Sequence, residues 1–221
     1  MSEHLTAERS AILTAALPNV PFDGWTRDCL RKAAVAAGFD EEMARRAFPG
    51  GAADAVNFYV AEADRQMLEE LERRDLPAMK IRERIATAVR VRLEQAASHR
   101  EAVRRALAVQ AIPRNARAAL KSLYRTVDAM WYAAGDNATD FNFYTKRALL
   151  AGVYSSTLLF WLNDNSDDFA DSWEFLDRRI EEVMSIMTVR RRIENVTDRL
   201  PDLPSPWTLL GRLRHGTRRT A

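Results

Sequence analysis

Asp128, Asp136 and Asp140 are the residues whose type and spacing first invite a chemical reading. Three carboxylates around one helix-to-helix junction suit a hard cation. The same residues also suit plain structure. Asp136 and Asn137 follow Gly135, where a turn calls for short polar side chains that bond backbone amides. Asp140 falls in the first turn of the next helix, where negative charge meets the positive end of the dipole. A partner-binding corner is the third reading. The histidines, His4, His99 and His215, are scattered and share no metal-ligand spacing. Cys29, the lone cysteine, has no partner for an internal disulfide and reads as a small buried hydrophobe rather than a nucleophile. The chain contains no Gly-rich phosphate loop, HExxH, CxxC or GxSxG. These observations predict a non-enzyme with no cofactor and no metal.

The elements that position these residues are helical throughout. The chain has 221 residues, 47% of them hydrophobic, and only eight Gly and eight Pro, so it can build a core and has few long loops. Ala, Leu, Arg and Glu dominate, which favours helix. The periodicity predicts an all-α chain of about ten helices. The first runs from Leu5 to Leu17, and the stretch PNVPFDG is read as a loop. Trp25 to Ala37 follows, stopped by Gly38, and then Asp40 caps a short helix to Phe48. Ala52 to Arg74, Met79 to Ala97 and Arg100 to Ala111 come next. Asn115 to Ala134 carries Leu120, Leu123, Tyr124, Val127, Met130 and Trp131 as one apolar stripe. Thr139 is the expected N-cap of a helix to Leu162. The acidic turn NDNSDDFAD opens a last long helix through Trp173, Leu176 and Ile180. Pro201, Pro204 and Pro206 mark a hinge before a short C-terminal helix.

Residues 1–51 therefore outline a helix-turn-helix-like three-helix module, residues 52–200 a helical bundle, and residues 201–221 a tail. The outline looks like a TetR-type helix-turn-helix module fused to a ligand-binding bundle. Chemistry separates the chain from that class. A recognition helix sets its N-terminal side chains beside phosphates. Here that helix opens with Asp40, Glu41 and Glu42, which repel the backbone that supplies most nucleic-acid affinity. No nucleic-acid partner is expected.

The stretch AGDNATDFNFYTKR, residues 134–147, and the helix, acidic turn and Trp173 helix beyond it resemble the signature of the Coq-nine family, accessory proteins of ubiquinone biosynthesis. The matching residues are Ala134-Gly135-Asp136, Thr139-Asp140, Asn142, Tyr144-Thr145, Lys146-Arg147 and Trp173. Upstream, VPFDGWT, FPGG and MKIRERI are similar to its bacterial branch. The resemblance covers roughly residues 10–190. It implies a TetR-like fold that no longer binds DNA, a bundle that binds isoprenoid or quinone lipid, and a surface that presents this lipid to a quinone-modifying hydroxylase. Carried onto this chain, the partner-binding residues are Met130, Trp131, Asp136, Asp140, Phe143, Tyr144 and Arg147. Phe143 stands where the family often has tryptophan, so an aromatic anchor remains without the indole donor.

A polyprenyl tail needs a long apolar wall. Leu149, Val153, Leu158 and Trp161 on one helix, with Leu123, Val127, Leu176 and Ile180 on its neighbours, are the expected lipid-binding residues. Each reads more readily as plain core than as a ligand contact, and apolarity does not separate the two, because burial favours an apolar side chain either way by about 1.5–3 kcal/mol.

The tail adds a membrane element. The net charge is +2, but residues 203–221 hold four Arg and no acid, so the rest of the chain sums to −2. Trp207, Leu209, Leu210 and Leu213 alternate with Arg212 and Arg214, a basic amphipathic pattern suited to a bilayer interface. The longest charge-free run, Ala148 to Asn163, falls short of the roughly 20 residues that span a bilayer. The N-terminus shows no apolar leader. The resemblance implies a homodimer, and with the tail it predicts a protein in the cytoplasm, peripheral to the inner face of the cytoplasmic membrane. A TetR-like regulator sensing an apolar ligand is the alternative.

Overall fold

In the computed structural model the described residues are 5–135 and 141–197, with side-chain surroundings described for 5–135 and 143–185. They form ten α-helices: α1 Thr6–Ala16, α2 Val20–Asp23, α3 Arg27–Ala36, α4 Glu41–Ala47, α5 Ala52–Glu72, α6 Ile81–Glu94, α7 Arg100–Gln110, α8 Ala116–Ala133, α9 Phe141–Trp161 and α10 Ala170–Thr197. No strand occurs among the described residues. The chain divides into two compact units, Met1–Ile180 and Glu181–Ala221. The first contains the cavity and the side-chain contacts described below.

Local chemistry sets the helix ends. The Thr26 hydroxyl accepts from the Cys29 amide at 3.1 Å and opens α3. Gly38, at φ 85°, turns the chain out of α3. The Asp40 carboxylate then accepts from the Met43 amide at 2.7 Å and opens α4. The sequence reading missed α2, where Pro21 supplies the preset first-turn φ and Gly24 ends the helix at φ 67° after four residues. So short a helix shows no period to read.

α3 packs against α1 and α4, and α2 against α7. Arg9 joins α1 to α5 by pairing with Asp54 at 2.7 Å, its guanidinium lying over Phe48 and Phe58. α5 is the central post and touches α6, α7 and α8. Its buried face reads Ala55, Val56, Tyr59, Ala63, Asp64, Met67 and Leu71, the helical repeat with one acid in the middle. α8 packs on α5 and α9. Its buried face is Ser122, Thr126, Val127 and Met130. The predicted apolar stripe is therefore rotated: Leu120 is 67% exposed and Tyr124 42%. α8 turns its hydroxyls inward because the buried acid of α5 must be hydrogen-bonded.

The α9–α10 turn is held by Asp164. Its carboxylate accepts from the Ser166 amide at 2.7 Å and the Ser172 amide at 2.9 Å, and from both hydroxyls. Burial pushes this carboxyl upward, but the serine hydrogen bonds prevail and hold it at about 2. From α7, Arg100 donates to the Trp161 and Asp164 carbonyls, each at 2.7 Å, and covers the open end of α9.

Candidate functional site

Helices α5 to α9 enclose a cavity of about 410 Å³. Its walls are mainly apolar, with Leu93, Val103, Leu107, Leu123 and Leu158 among them. Leu120 and Leu159 also line it while 67% and 58% exposed, so they mark its mouth. A side-chain cavity of this size within a bundle is of the kind that takes a small apolar ligand.

One part of the lining is polar. Arg92, only 5% exposed, lines the cavity with Tyr59, Tyr154, Ser122 and Thr126. Behind it stands Asp64, 4% exposed. Asp64 accepts from Arg92 Nε at 3.3 Å, Arg125 Nε at 3.2 Å and the Thr126 hydroxyl at 2.9 and 3.0 Å. Two guanidiniums thus share one carboxylate. Burial raises both phenols, Tyr59 and Tyr154, so they remain protonated donors. None of these residues was singled out from the sequence. A signal existed: Asp64, Arg92, Ser122 and Thr126 each fall in step with apolar neighbours, and a charge in an apolar stripe is a buried charge.

Of the eight residues expected to bind lipid, Leu123 and Leu158 line the cavity. Val127, Val153, Trp161, Leu176 and Ile180 are buried core outside its lining, and Leu149 is half-buried outside it. The reason is orientation: the cavity lies on the α5–α8 side of α9, and these side chains fill other contacts.

The expected partner corner is also divided. Tyr144 is 66% exposed, whereas Trp131 and Phe143 are half-buried. The Trp131 indole donates to the Lys146 carbonyl at 3.2 Å and so ties α8 to α9. Met130 is fully buried and Arg147 is 4% exposed, so neither offers an open surface. Arg147 instead pairs with Asp128 at 2.5 Å and lies 3.3 Å from the centre of the Phe143 ring. Asp128 is thereby committed to an ion pair. Asp136 and Asp140 lie outside the described residues, as do Asn137, Thr139, His4 and His215. So do the proline hinge and the tail residues Trp207, Leu209, Leu210, Arg212, Leu213 and Arg214.

Among the described residues no group of His, Cys, Asp or Glu is arranged to hold a metal. Cys29 is buried and its thiol is pushed up by burial. No helix of the described residues is long and apolar enough to cross a membrane.

The α4 surface is neutralised from within. Arg45 pairs with Glu42, Arg46 with Asp40 at 3.1 Å, and Arg31 of α3 reaches Glu41 at 2.6 Å.

The architecture is TetR-like. A crystal structure of a TetR transcriptional regulator from Nitrosomonas europaea ATCC 19718 superposes with a TM-score of 0.66, covering 80% of this chain and 97% of that one at 22% identity. That likeness concerns the fold alone. The COQ9 family model matches residues 116–187, which run from the start of α8 into α10. Over these helices the chain is similar to the COQ9 family. The ubiquinone biosynthesis protein COQ9-B, mitochondrial, of Xenopus laevis is 38% identical over 79% of this chain and 62% of its own length. The COQ9 proteins of Rattus norvegicus and Homo sapiens are 33% and 32% identical over 86% of this chain. The chain spans about three-fifths of the length of these relatives.

Proposed function

We propose that this chain is a non-catalytic, lipid-binding accessory protein of ubiquinone biosynthesis. It holds an isoprenoid or quinone intermediate in the α5–α9 cavity and presents it to a quinone-modifying hydroxylase. The observation that carries this reading is the cavity itself, apolar-walled, open between Leu120 and Leu159, and formed partly by the family-matched helices α8 and α9. The relatives named as ubiquinone biosynthesis proteins supply the pathway. In this reading the protein is a homodimer in the cytoplasm, reaching the inner face of the cytoplasmic membrane through its basic C-terminal segment, and Tyr144 is the exposed anchor for the hydroxylase.

The test is mass spectrometry of organic extracts from the gently purified protein, with an unrelated protein in the same buffer as control. Enriched ubiquinone precursors or long isoprenoids are expected. An empty cavity, or the same scattered phospholipid as the control, would overturn the reading.

The fold also supports a second reading, a regulator of transcription that senses an apolar ligand. The internally paired charges of α4 argue against it. Salt-dependent binding to duplex DNA with a slope of several phosphates would establish it instead.

A further inference from the structure

We propose that Arg92 is the head-group receptor of the cavity, and that the ligand it takes is a single-tailed amphiphile carrying one carboxylate. This rests on the lipid-binding reading above and narrows its cargo.

A buried guanidinium is costly unless it is paired and its donors are used. Arg92 meets only half of that condition. Its Nε bonds Asp64, but its two terminal nitrogens hydrogen-bond to nothing among the described residues. The side chain is 95% buried by the measure of its 5% exposure, and it lines the cavity. Its donor fork is therefore left to whatever fills that space. The hydroxyls of Tyr59 and Tyr154 likewise have no hydrogen bond among the described residues, and both phenols lie close enough to Arg92 to interact with it. One planar cation and two phenols thus line a space whose other polar residues are Gln110, Ser122, Thr126 and Ser155, the rest of the wall being leucine, valine and alanine.

The charge count selects the class. Asp64 divides its charge among Arg92, Arg125 and Thr126; Arg125 is 46% exposed at the side chain and meets water as well, whereas the buried Arg92 has no acid of its own. A monoanion neutralises it. A phosphate dianion would leave negative charge uncompensated in a poorly solvated site. A planar carboxylate also fits a guanidinium fork in bidentate fashion. The apolar walls and the exposed leucines of the mouth then accommodate one tail. A fatty acid and an aromatic acid with an isoprenoid tail share this chemistry, and the test separates them.

The experiment is calorimetric titration of the delipidated full chain with five probes: oleic acid, its methyl ester, a geranylgeranyl-substituted benzoic acid, its methyl ester, and geranylgeraniol. Each acid is expected to bind at least tenfold more tightly than its ester. The acid with the lower Kd identifies the tail class. The preference should vanish in Arg92→Met and survive in part in Arg92→Lys. Asp64 retains Arg125 and Thr126 in both variants, and circular dichroism checks their helicity. The acid-against-ester comparison needs no variant, so a misfolded Arg92→Met leaves the proposal testable. Acid and ester within twofold of each other, with geranylgeraniol bound as well, would overturn the head-group assignment and leave the carrier reading standing. Failure of all five probes to bind would overturn both.

Discussion

The arginines of α4 and the arginines around Asp64 are the same side chain used in opposite ways. On α4 each cation has an acid of its own, and the groups stand in water: Arg45 is 71% exposed and Arg46 52%. Such pairs contribute little to stability and leave little field for a polyanion. Around Asp64 the ratio is two cations to one anion, and Arg92 and Asp64 are both 6% exposed at the side chain. Arg125 is 46% exposed and meets water, but Arg92 has no acid of its own where the dielectric is low, and that is a binding capacity. The difference teaches that where an arginine sits, and how many share its carboxylate, says more than how many there are.

The largest effect that would break this comparison comes from Asp64→Asn. It leaves Arg92 and Arg125 facing each other without a counter-charge, and urea unfolding should show a loss of about 3–5 kcal/mol. A loss below about 1 kcal/mol would mean that water already compensates the cluster.

Asp164→Ala comes next. It strips the acceptor from two amides and two hydroxyls at the α9–α10 turn, and a loss of about 2 kcal/mol is expected. The sign with pH follows from the lowered carboxyl. Its ordinary value is 3.8 and its folded value about 2. The contribution is therefore complete above about pH 4 and disappears as pH falls through 2. Wild type should lose stability across that window, and the difference between wild type and Asp164→Ala should shrink with it.

At the corner between α8 and α9 the two aromatic substitutions should part company. Trp131→Ala removes an interhelical hydrogen bond and should lower the melting temperature. Tyr144→Ala, at an exposed position, should leave melting unchanged while weakening capture of the hydroxylase in a pull-down. Equal loss of stability in both would make Tyr144 a structural residue. The smallest effect belongs to Glu42→Gln, which removes one exposed partner on α4 and should leave the urea midpoint where it was. A clear shift there would erase the contrast between the two regions.

Much of the fold is legible in the sequence because its signals are local. Gly38 and Asp40 end one helix and open the next through their own backbone needs, and the α5 stripe repeats at helical spacing. The cavity is less legible because its lining is a matter of rotation. Leu123 and Leu158 face it, while Val127 and Trp161, equally apolar and on the same helices, face elsewhere. Nothing in a stripe says which side of the helix meets a void. Arg92 is the clearest case. In the run IRERIATAVRVRLE its step with Ile85, Ala88 and Val89 marks it as buried but names no partner, and Asp64 lies 28 residues earlier. Only the packing of α5 on α6 brings them together. The corner at Met130 and Arg147 misleads for the same reason, since a motif fixes which residues occur together but not which of them point inward.

One helix joins the cavity to the N-terminal module. On one side α7 lines the cavity with Val103, Ala106 and Leu107. On the other it carries the N-terminal module: the Trp25 indole donates to the Ala102 carbonyl at 3.0 Å, and Arg105 donates to the Pro21 carbonyl at 2.7 Å. Linkage is reciprocal in such an arrangement. If filling the cavity displaces α7, the α2–α3 surface registers the cargo. A molecule that grips that surface then changes the cavity's affinity for its ligand by the same factor, so loading and release share a single lever.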